Sequence, residues 1–554
     1  MAQDLIARAQ AWLAEDPDAE TRDELSRLIE AGDTTDLEAR FAGTLQFGTA
    51  GLRGELGAGP MRMNRAVVIR AAAGLAAYLK AQGHTDGLVV IGYDARYKSA
   101  DFARDTAAVM IGAGLRAALL PRPLPTPVLA FAIRHLGAVA GVEVTASHNP
   151  PRDNGYKVYL GDGSQIVSPA DAGIAERIDA VGGLHDVPRP GSGWETLGDE
   201  VLDAYLARTD VVLTPASPRT ARVVYTAMHG VGTDVVLAAW ERAGFPAPVL
   251  VDEQAEPDPA FPTVAFPNPE EPGAMDLAFV KAREVGPDIV IANDPDADRC
   301  AVAVPDDGAD GGWRMLRGDE VGALLAAHLV RKGVRAGDAR HTFAESIVSS
   351  SLLGRIAEAA GLGYEETLTG FKWIARVEGL RYGYEEALGY CVDPEGVRDK
   401  DGITAALLVA ELASELKAQG RGLSDLLDDL AVAHGLHATD QLSVRVEDLG
   451  IIADAMRRLR EQPPVLLAGL HVVSAEDLTK GTAQLPPTDG LRYYLEGEFK
   501  ARVIVRPSGT EPKLKCYLEV VVPVGDAREL SAARGRAADV LGAIKTDLAT
   551  AAGI

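Results

Sequence analysis

Residues 138–157 read AVAGVEVTASHNPPRDNGYK, and the fold has to be one that can hold them. AVAGVEV is apolar and of the right length for one short buried strand. The Asn149-Pro150-Pro151 that follows cannot continue a ladder or a helix, because two successive prolines lack the N–H donor. Ser147 therefore sits on a rigid turn at a strand end, with His148 beside it. An ordinary capping hydroxyl is the plain alternative.

Short apolar runs of the same kind recur along the chain and alternate with helical patterns. LVVIGYD at 88 leads into a helical stretch near 100–115, and RVVYTAM (222), PVLVDE (248), DIVIAN (288) and HTFAESIV (341) repeat the arrangement. This alternation predicts α/β units around mixed or mostly parallel sheets. Pro/Gly-rich stretches near 187, 305 and 419 punctuate it. Beyond about 430 the pattern changes to alternating strands, such as QLSVRV and ARVIVRP, which predicts a smaller C-terminal α+β domain. A chain of 554 residues is too long for one core, and about three to five domains are expected.

The chain holds 80 acidic and 55 basic residues, a net charge of -25. Such a field repels phosphate backbones and anionic lipid surfaces, which argues against nucleic acid or membrane as a main partner. An anionic small substrate needs a local basic pocket instead. Cys300, Cys391 and Cys516 lie far apart, so neither a disulfide framework nor a structural zinc site is expected. The first residues read as an amphipathic acidic helix rather than a signal peptide. A cytoplasmic location is the expectation.

Several stretches carry chemistry. DPDADR, 294–299, sets Asp294, Asp296 and Asp298 at alternate positions after an apolar run. In a bent loop at the surface of a cleft the three carboxylates could converge on one cation, and oxygen-only ligation favours Mg²⁺ over zinc. A solvated acidic turn is the alternative. RPSGTEPKLK, 506–515, follows a strand and combines a guanidinium, two hydroxyls and a glycine, a composition suited to an anion nest as well as to a plain turn. YEEALGY, 384–390, pairs Glu385 and Glu386 between aromatics, where they could accept hydrogen bonds from sugar hydroxyls or begin a helix. FGTAGLRGELG, 47–57, brings Arg53 next to a Gly-rich turn. GYDAR at 92 reads as a strand end with a solvated ion pair. TGFKWI at 369 carries Lys372 between aromatics that suit a core.

A nucleophilic hydroxyl, a three-carboxylate loop, a carboxylate pair and a basic phosphate loop are the parts that phosphoryl transfer needs. The order FGTAGLR, TASHNPP…NGYK, DPDADR, YEEALGY, RPSGTEPK resembles the α-D-phosphohexomutases, the phosphoglucomutase and phosphomannomutase superfamily, from about residue 40 to 540. The resemblance implies four domains around a central cleft, three α/β with mixed sheets and a smaller α+β domain at the C-terminus. They are expected at 1–205 (phosphoserine, with an N-terminal helical extension), 206–316 (metal), 317–430 (sugar) and 431–554 (phosphate).

By the same resemblance Ser147 carries the phosphoryl group and ligates Mg²⁺ with Asp294, Asp296 and Asp298. His148, Arg53 and Lys157 surround the reacting phosphate. Arg299, Lys372, Glu385, Glu386, Arg506, Ser508, Gly509 and Thr510 bind the substrate. The implied activity interconverts sugar 1- and 6-phosphates through a phosphoserine enzyme and a bisphosphate, which also serves as activator, in a monomer or homodimer. Ala387 departs from the pattern, since many members place a serine there. The EEALGY form and the N-terminal extension look closer to the phosphoglucomutase-2 and phosphopentomutase-like branch, so a pentose substrate is the alternative. A metal-dependent phosphatase and a non-catalytic sugar-phosphate binder are the other readings.

Overall fold

The computed structural model describes residues 2–48, 51–335, 337–446, 448–508 and 513–554. It divides into two bodies, Met1–Leu316 with Gly389–Glu415, and Arg317–Leu388 with Leu416–Ile554.

The first body opens with three helices, Ala2–Glu15, Ala19–Ala31 and Thr34–Phe41. Asp18 and Asp33 cap the second and third by accepting the N–H groups of Glu20 and Asp36, which meets the need of first-turn donors that have no partner within the helix. Leu5, Ala9, Leu25, Leu37 and Phe41 close a small core with Ala58.

The first large sheet runs Leu52–Glu55, Asp153–Leu160, Ala140–Val144, Leu88–Tyr93, Arg116–Leu119, Glu195–Thr196. Its first two pairings are antiparallel and the rest parallel, so the sheet is mixed. Every residue of Ala140–Val144 is buried, which is why this strand reads as an apolar run, broken at Glu143, rather than an alternation. The second sheet runs Trp313–Met315, Ala301–Pro305, Ile289–Ala292, Val223–Thr226, Val249–Leu250 and is also mixed. PDDGADGG lies in the reversal between Ala301–Pro305 and the edge strand Trp313–Met315.

Gly389–Glu415 is held to this body by buried polar bonds. Tyr159 Oη donates to Asp399 at 2.8 Å, and Tyr205 Oη to Asp401 at 2.9 Å.

In the second body, Thr342–Ser346 pairs in parallel with Gly363–Thr367 and Leu380–Glu385. Six antiparallel strands between Leu436 and Val522 form the last sheet, with helices Leu449–Glu461 and Leu530–Ala552. The four sheets agree with three α/β domains followed by an α+β domain. No helix among the described residues is long and apolar enough to cross a membrane.

Candidate active site

Strand register in the first body brings the basic residues to the serine. Asp153–Leu160 lies between Leu52–Glu55 and Ala140–Val144, with Arg53 opposite Gly155 and Lys157 opposite Glu143. Gly51, at φ 79°, enters the first strand where a Cβ would lie 1.8 Å from the Tyr156 carbonyl oxygen. Only glycine permits that approach. Thr49 and Ala50 of the same motif lie outside the described residues. Arg53 Nη1 donates to Asn149 Oδ1 at 3.3 Å, which ties it to the serine turn.

Ser147 is buried and left-handed at φ 50°, a conformation that costs energy for a residue with a Cβ and is kept only by its surroundings. Its N–H donates to Thr145 Oγ1 at 2.8 Å. Its hydroxyl donates to Asp294 Oδ2 at 2.6 Å and lies 3.2 Å from His148 Nδ1.

The DPDADR loop is not at the surface as expected. Asp294, Asp296 and Asp298 are fully buried, because Lys157 and Thr126 reach in from the first sheet and its helix Thr126–His135 to cover them. Lys157 Nζ donates to Asp296 Oδ2 at 2.7 Å and Asp298 Oδ2 at 2.9 Å, and Thr126 Oγ1 donates to Asp296 Oδ2 at 2.6 Å. Ala297, at φ 54°, bends the loop, and the Ala297 N–H closes on the Asp294 carbonyl. Gly230 supports it from below, since a Cβ there would lie 2.3 Å from Pro295 Cα. The oxygens of the three carboxylates gather within 4.8 Å.

Arg299 donates its N–H to Asp294 Oδ1 at 3.0 Å, and its guanidinium lies 3.9 Å from Asp298. Lys400, which nothing in the sequence singled out, stands 3.4 Å from Asp298 Oδ2.

Burial, and then the charges of Asp296 and Asp298, hold the Asp294 carboxyl well above the ordinary carboxylate value. Burial acts the same way on Asp296 and Asp298, but the Lys157 ammonium, joined by the Thr126 hydroxyl at Asp296 and by Lys400 and Arg299 at Asp298, outweighs it and both fall below that value. Burial works against the Lys157 charge, yet the same two carboxylates raise it above an ordinary lysine, so it remains a cation. Desolvation, with Arg299 and Arg53 nearby, depresses the His148 imidazole well below its usual value. His148 is therefore neutral at pH 7.

The second body carries the remaining residues. EEAL does not begin a helix: residues 386–388 form a turn after the strand Leu380–Glu385, with Leu388 at φ 64°. The parallel pairing with Thr342–Ser346 extends Tyr384 into the ladder and overrides the first-turn preference of the glutamates. Glu385 Oε1 accepts the Gly370 N–H at 2.7 Å, joining this turn to TGFKWI. Glu386 Oε2 accepts Ser346 and Ser349 hydroxyls at 3.0 and 3.3 Å, so the two glutamates do different work. Lys372 is half-buried on the short helix Phe371–Ile374, whose Phe371 is core as expected. Arg506 is the penultimate residue of the strand Lys500–Pro507, and the Ser508 N–H donates to the Lys513 carbonyl at 2.8 Å. Gly509 and Thr510 lie outside the described residues.

A Cβ at Gly318 would lie 1.8 Å from the Glu386 carbonyl oxygen. Gly318→Ala is expected to push the Glu386 turn away and destabilise the protein by about 1–3 kcal/mol, read from denaturant unfolding. An unchanged midpoint would show that the turn yields freely.

Models of the phosphoglucomutase/phosphomannomutase family match four successive segments of the chain: alpha/beta/alpha domain I at residues 44–182, domain II at 202–308, domain III at 317–433 and the C-terminal domain at 443–534. A Haemophilus influenzae protein named "Probable phosphomannomutase" is 50% identical over 465 residues, 83% of this chain and 93% of that one. The Mus musculus phosphopentomutase is 35% identical over 567 residues, 93% of this chain and 90% of that one. The crystal structure of pp63/parafusin from Paramecium shares the fold, with a TM-score of 0.71 at 18% identity over 93% of this chain and 96% of that one.

Proposed function

Because the chain belongs to the phosphoglucomutase/phosphomannomutase family and is a phosphosugar mutase, we propose that it interconverts the 1- and 6-phosphates of glucose, mannose or both with Ser147 as the phosphoryl carrier. The observation that carries this reading is the buried Ser147 hydroxyl, 2.6 Å from Asp294 at the edge of a three-carboxylate cluster.

The cluster fits a hard divalent cation. Asp296 Oδ1 and Asp298 Oδ1 accept no hydrogen bond among the described residues although they are shielded from water, a costly arrangement unless something else binds them. Lys157 and Thr126 occupy the opposite oxygen atoms and leave these two available. Ser147, Asp294, Asp296 and Asp298 would hold Mg²⁺, which when bound supplies neutralisation of the charge on the transferred phosphoryl group.

The chain's own residues do the rest. The left-handed turn presents the Ser147 oxygen, and Lys157 and Arg53 stabilise negative charge on the transferred group. His148, uncharged, offers a ring nitrogen within reach of the serine oxygen without adding charge. Arg299 orients the Asp294 side of the site. In the second body Glu385, Glu386 and Lys372 select the sugar, and Arg506, Ser508, Gly509 and Thr510 hold the phosphate that does not react. Phosphoserine gives its phosphoryl group to the free sugar hydroxyl, and the resulting bisphosphate returns its other phosphoryl group to Ser147 after turning over. The same bisphosphate, added in catalytic amount, would load Ser147 and act as activator. In this reading residues 1–205 carry the phosphoserine, 206–316 the metal, 317–430 the sugar loop and 431–554 the distal phosphate loop, in a monomer or homodimer.

A pentose 1-phosphate is the second reading, supported by the phosphopentomutase likeness over 93% of this chain. Incubation with glucose 1-phosphate, Mg²⁺ and catalytic bisphosphate separates the classes. A 6-phosphate product supports the hexose reading, free phosphate would contradict it, and no change on glucose 1-phosphate together with turnover of a pentose 1-phosphate would favour the second reading.

Ala387 sets an expectation about breadth. A serine hydroxyl there would test for a correctly placed sugar hydroxyl, whereas a methyl cannot. One neutral hydrogen bond is worth about 1 kcal/mol, so discrimination between hexose and pentose 1-phosphates should be looser by roughly five- to tenfold than in Ala387→Ser. The ratio of kcat/KM across that panel measures it. A natural enzyme already restricted by about several thousandfold to one sugar would mean that selection comes from elsewhere, for instance from the TGFKWI turn.

A further inference from the structure

The GYDAR segment is not a solvated strand end. Asp94 and Arg96 are both buried, their side chains about 1% exposed and 3.3 Å apart. Asp94 is fixed in turn, since its Oδ1 accepts the Ser99 hydroxyl at 2.6 Å and the Arg96 N–H at 3.0 Å. The guanidinium packs over the Phe261 ring at 4.8 Å.

What the guanidinium holds is the serine turn. Arg96 Nη2 donates to the carbonyl oxygens of Ser147 at 2.5 Å and Asn149 at 2.6 Å, and Nη1 donates to those of Pro150 at 2.8 Å and Asp153 at 3.2 Å. These contacts answer a structural need. Pro150 and Pro151 remove two N–H groups from the turn, and Ser147 is kept in a left-handed conformation it would not choose, so the loop is short of donors for its carbonyls although the Asp153 N–H closes on that of Pro150 at 3.0 Å. One planar fork converging on four carbonyls replaces the missing ladder. A lysine ammonium, with three donors on one atom, cannot span them.

We infer that Arg96, seated by Asp94, is the positioning residue that fixes the Ser147 oxygen for in-line phosphoryl transfer. The inference rests on Ser147 being the phosphoryl carrier. Substrate is bound by other groups, so a misplaced serine turn should cost turnover rather than affinity, and a displacement of about 1 Å is enough to cost about a hundredfold.

The test is the kcat and KM of Arg96→Lys, each normalised to the phosphoserine titrated by intact mass, so that unfolded or unphosphorylated molecules do not count. The expected result is kcat lower by about thirty- to a hundredfold with KM for glucose 1-phosphate within about threefold. A folded variant whose kcat per phosphoserine stays within about twofold of the natural enzyme would overturn the inference. Should Arg96→Lys not fold, Asp94→Asn decides, because it keeps the shape and only loosens the guanidinium. A fall of about tenfold in kcat at constant KM supports the inference, and unchanged kcat refutes it. A Ser147→Ala control that keeps natural turnover would instead bring down the carrier assignment, which distinguishes the two failures.

Discussion

Ser147→Ala is expected to lose mutase turnover by at least about ten-thousandfold, since it removes the atom that accepts and returns the phosphoryl group and no neighbouring hydroxyl can take its place. Thr145 is close in sequence, but its Oγ1 is engaged by the Ser147 N–H. The variant should remain folded, because the turn is held by the four carbonyl bonds from Arg96, none of which involves the serine side chain. Intact-mass analysis of the natural protein should show a fraction about 80 Da heavier, which the variant lacks. A variant that turns over normally would exclude Ser147 as carrier.

The second large effect concerns Asp296. Asp296→Asn removes one charge from a cluster in which the Oδ1 atoms of Asp296 and Asp298 have no hydrogen-bond partner among the described residues, and it weakens the partner that Lys157 and Thr126 both address. Turnover should fall by about a thousandfold or more, and chelation of the natural enzyme should do the same until Mg²⁺ is added back. The natural protein should also gain thermal stability on adding Mg²⁺, because an ion that binds the native cluster and not the unfolded chain shifts the equilibrium, while Asp296→Asn should gain much less. A chelated enzyme at full rate would make the cluster structural, held together by Lys157 alone.

Much of this site is legible in the linear order of residues. The double proline after a short apolar run marks the serine turn, and alternate carboxylates after a second run mark the cluster, since both depend on local backbone rules. Lys400, Thr126 and Arg96 are not legible in this way. Each lies more than fifty residues from the group it touches, in a segment whose composition is that of an ordinary polar turn or helix start. Burial of the DPDADR loop escapes for the same reason, as the cover comes from another sheet. The EEAL turn was open between helix and loop because glutamate suits a first helical turn, and only the pairing of Leu380–Glu385 with Thr342–Ser346 decides it. Glu143 is a further case. It sits within an otherwise apolar strand, fully buried, with neither carboxylate oxygen hydrogen-bonded among the described residues, and burial pushes its carboxyl well above the ordinary value.

The most direct test of the account is a single-turnover experiment. Protein carrying one phosphoryl group, located on Ser147 by peptide mass spectrometry, is mixed in stoichiometric amount with glucose 1-phosphate and Mg²⁺ and quenched at intervals. With Ser147 as carrier, the heavier species declines as glucose 1,6-bisphosphate appears in equal amount, before 6-phosphate accumulates. Release of inorganic phosphate without bisphosphate, or, when Ser147 starts with an isotopically labelled phosphoryl group, 6-phosphate that forms without that label, would contradict that assignment.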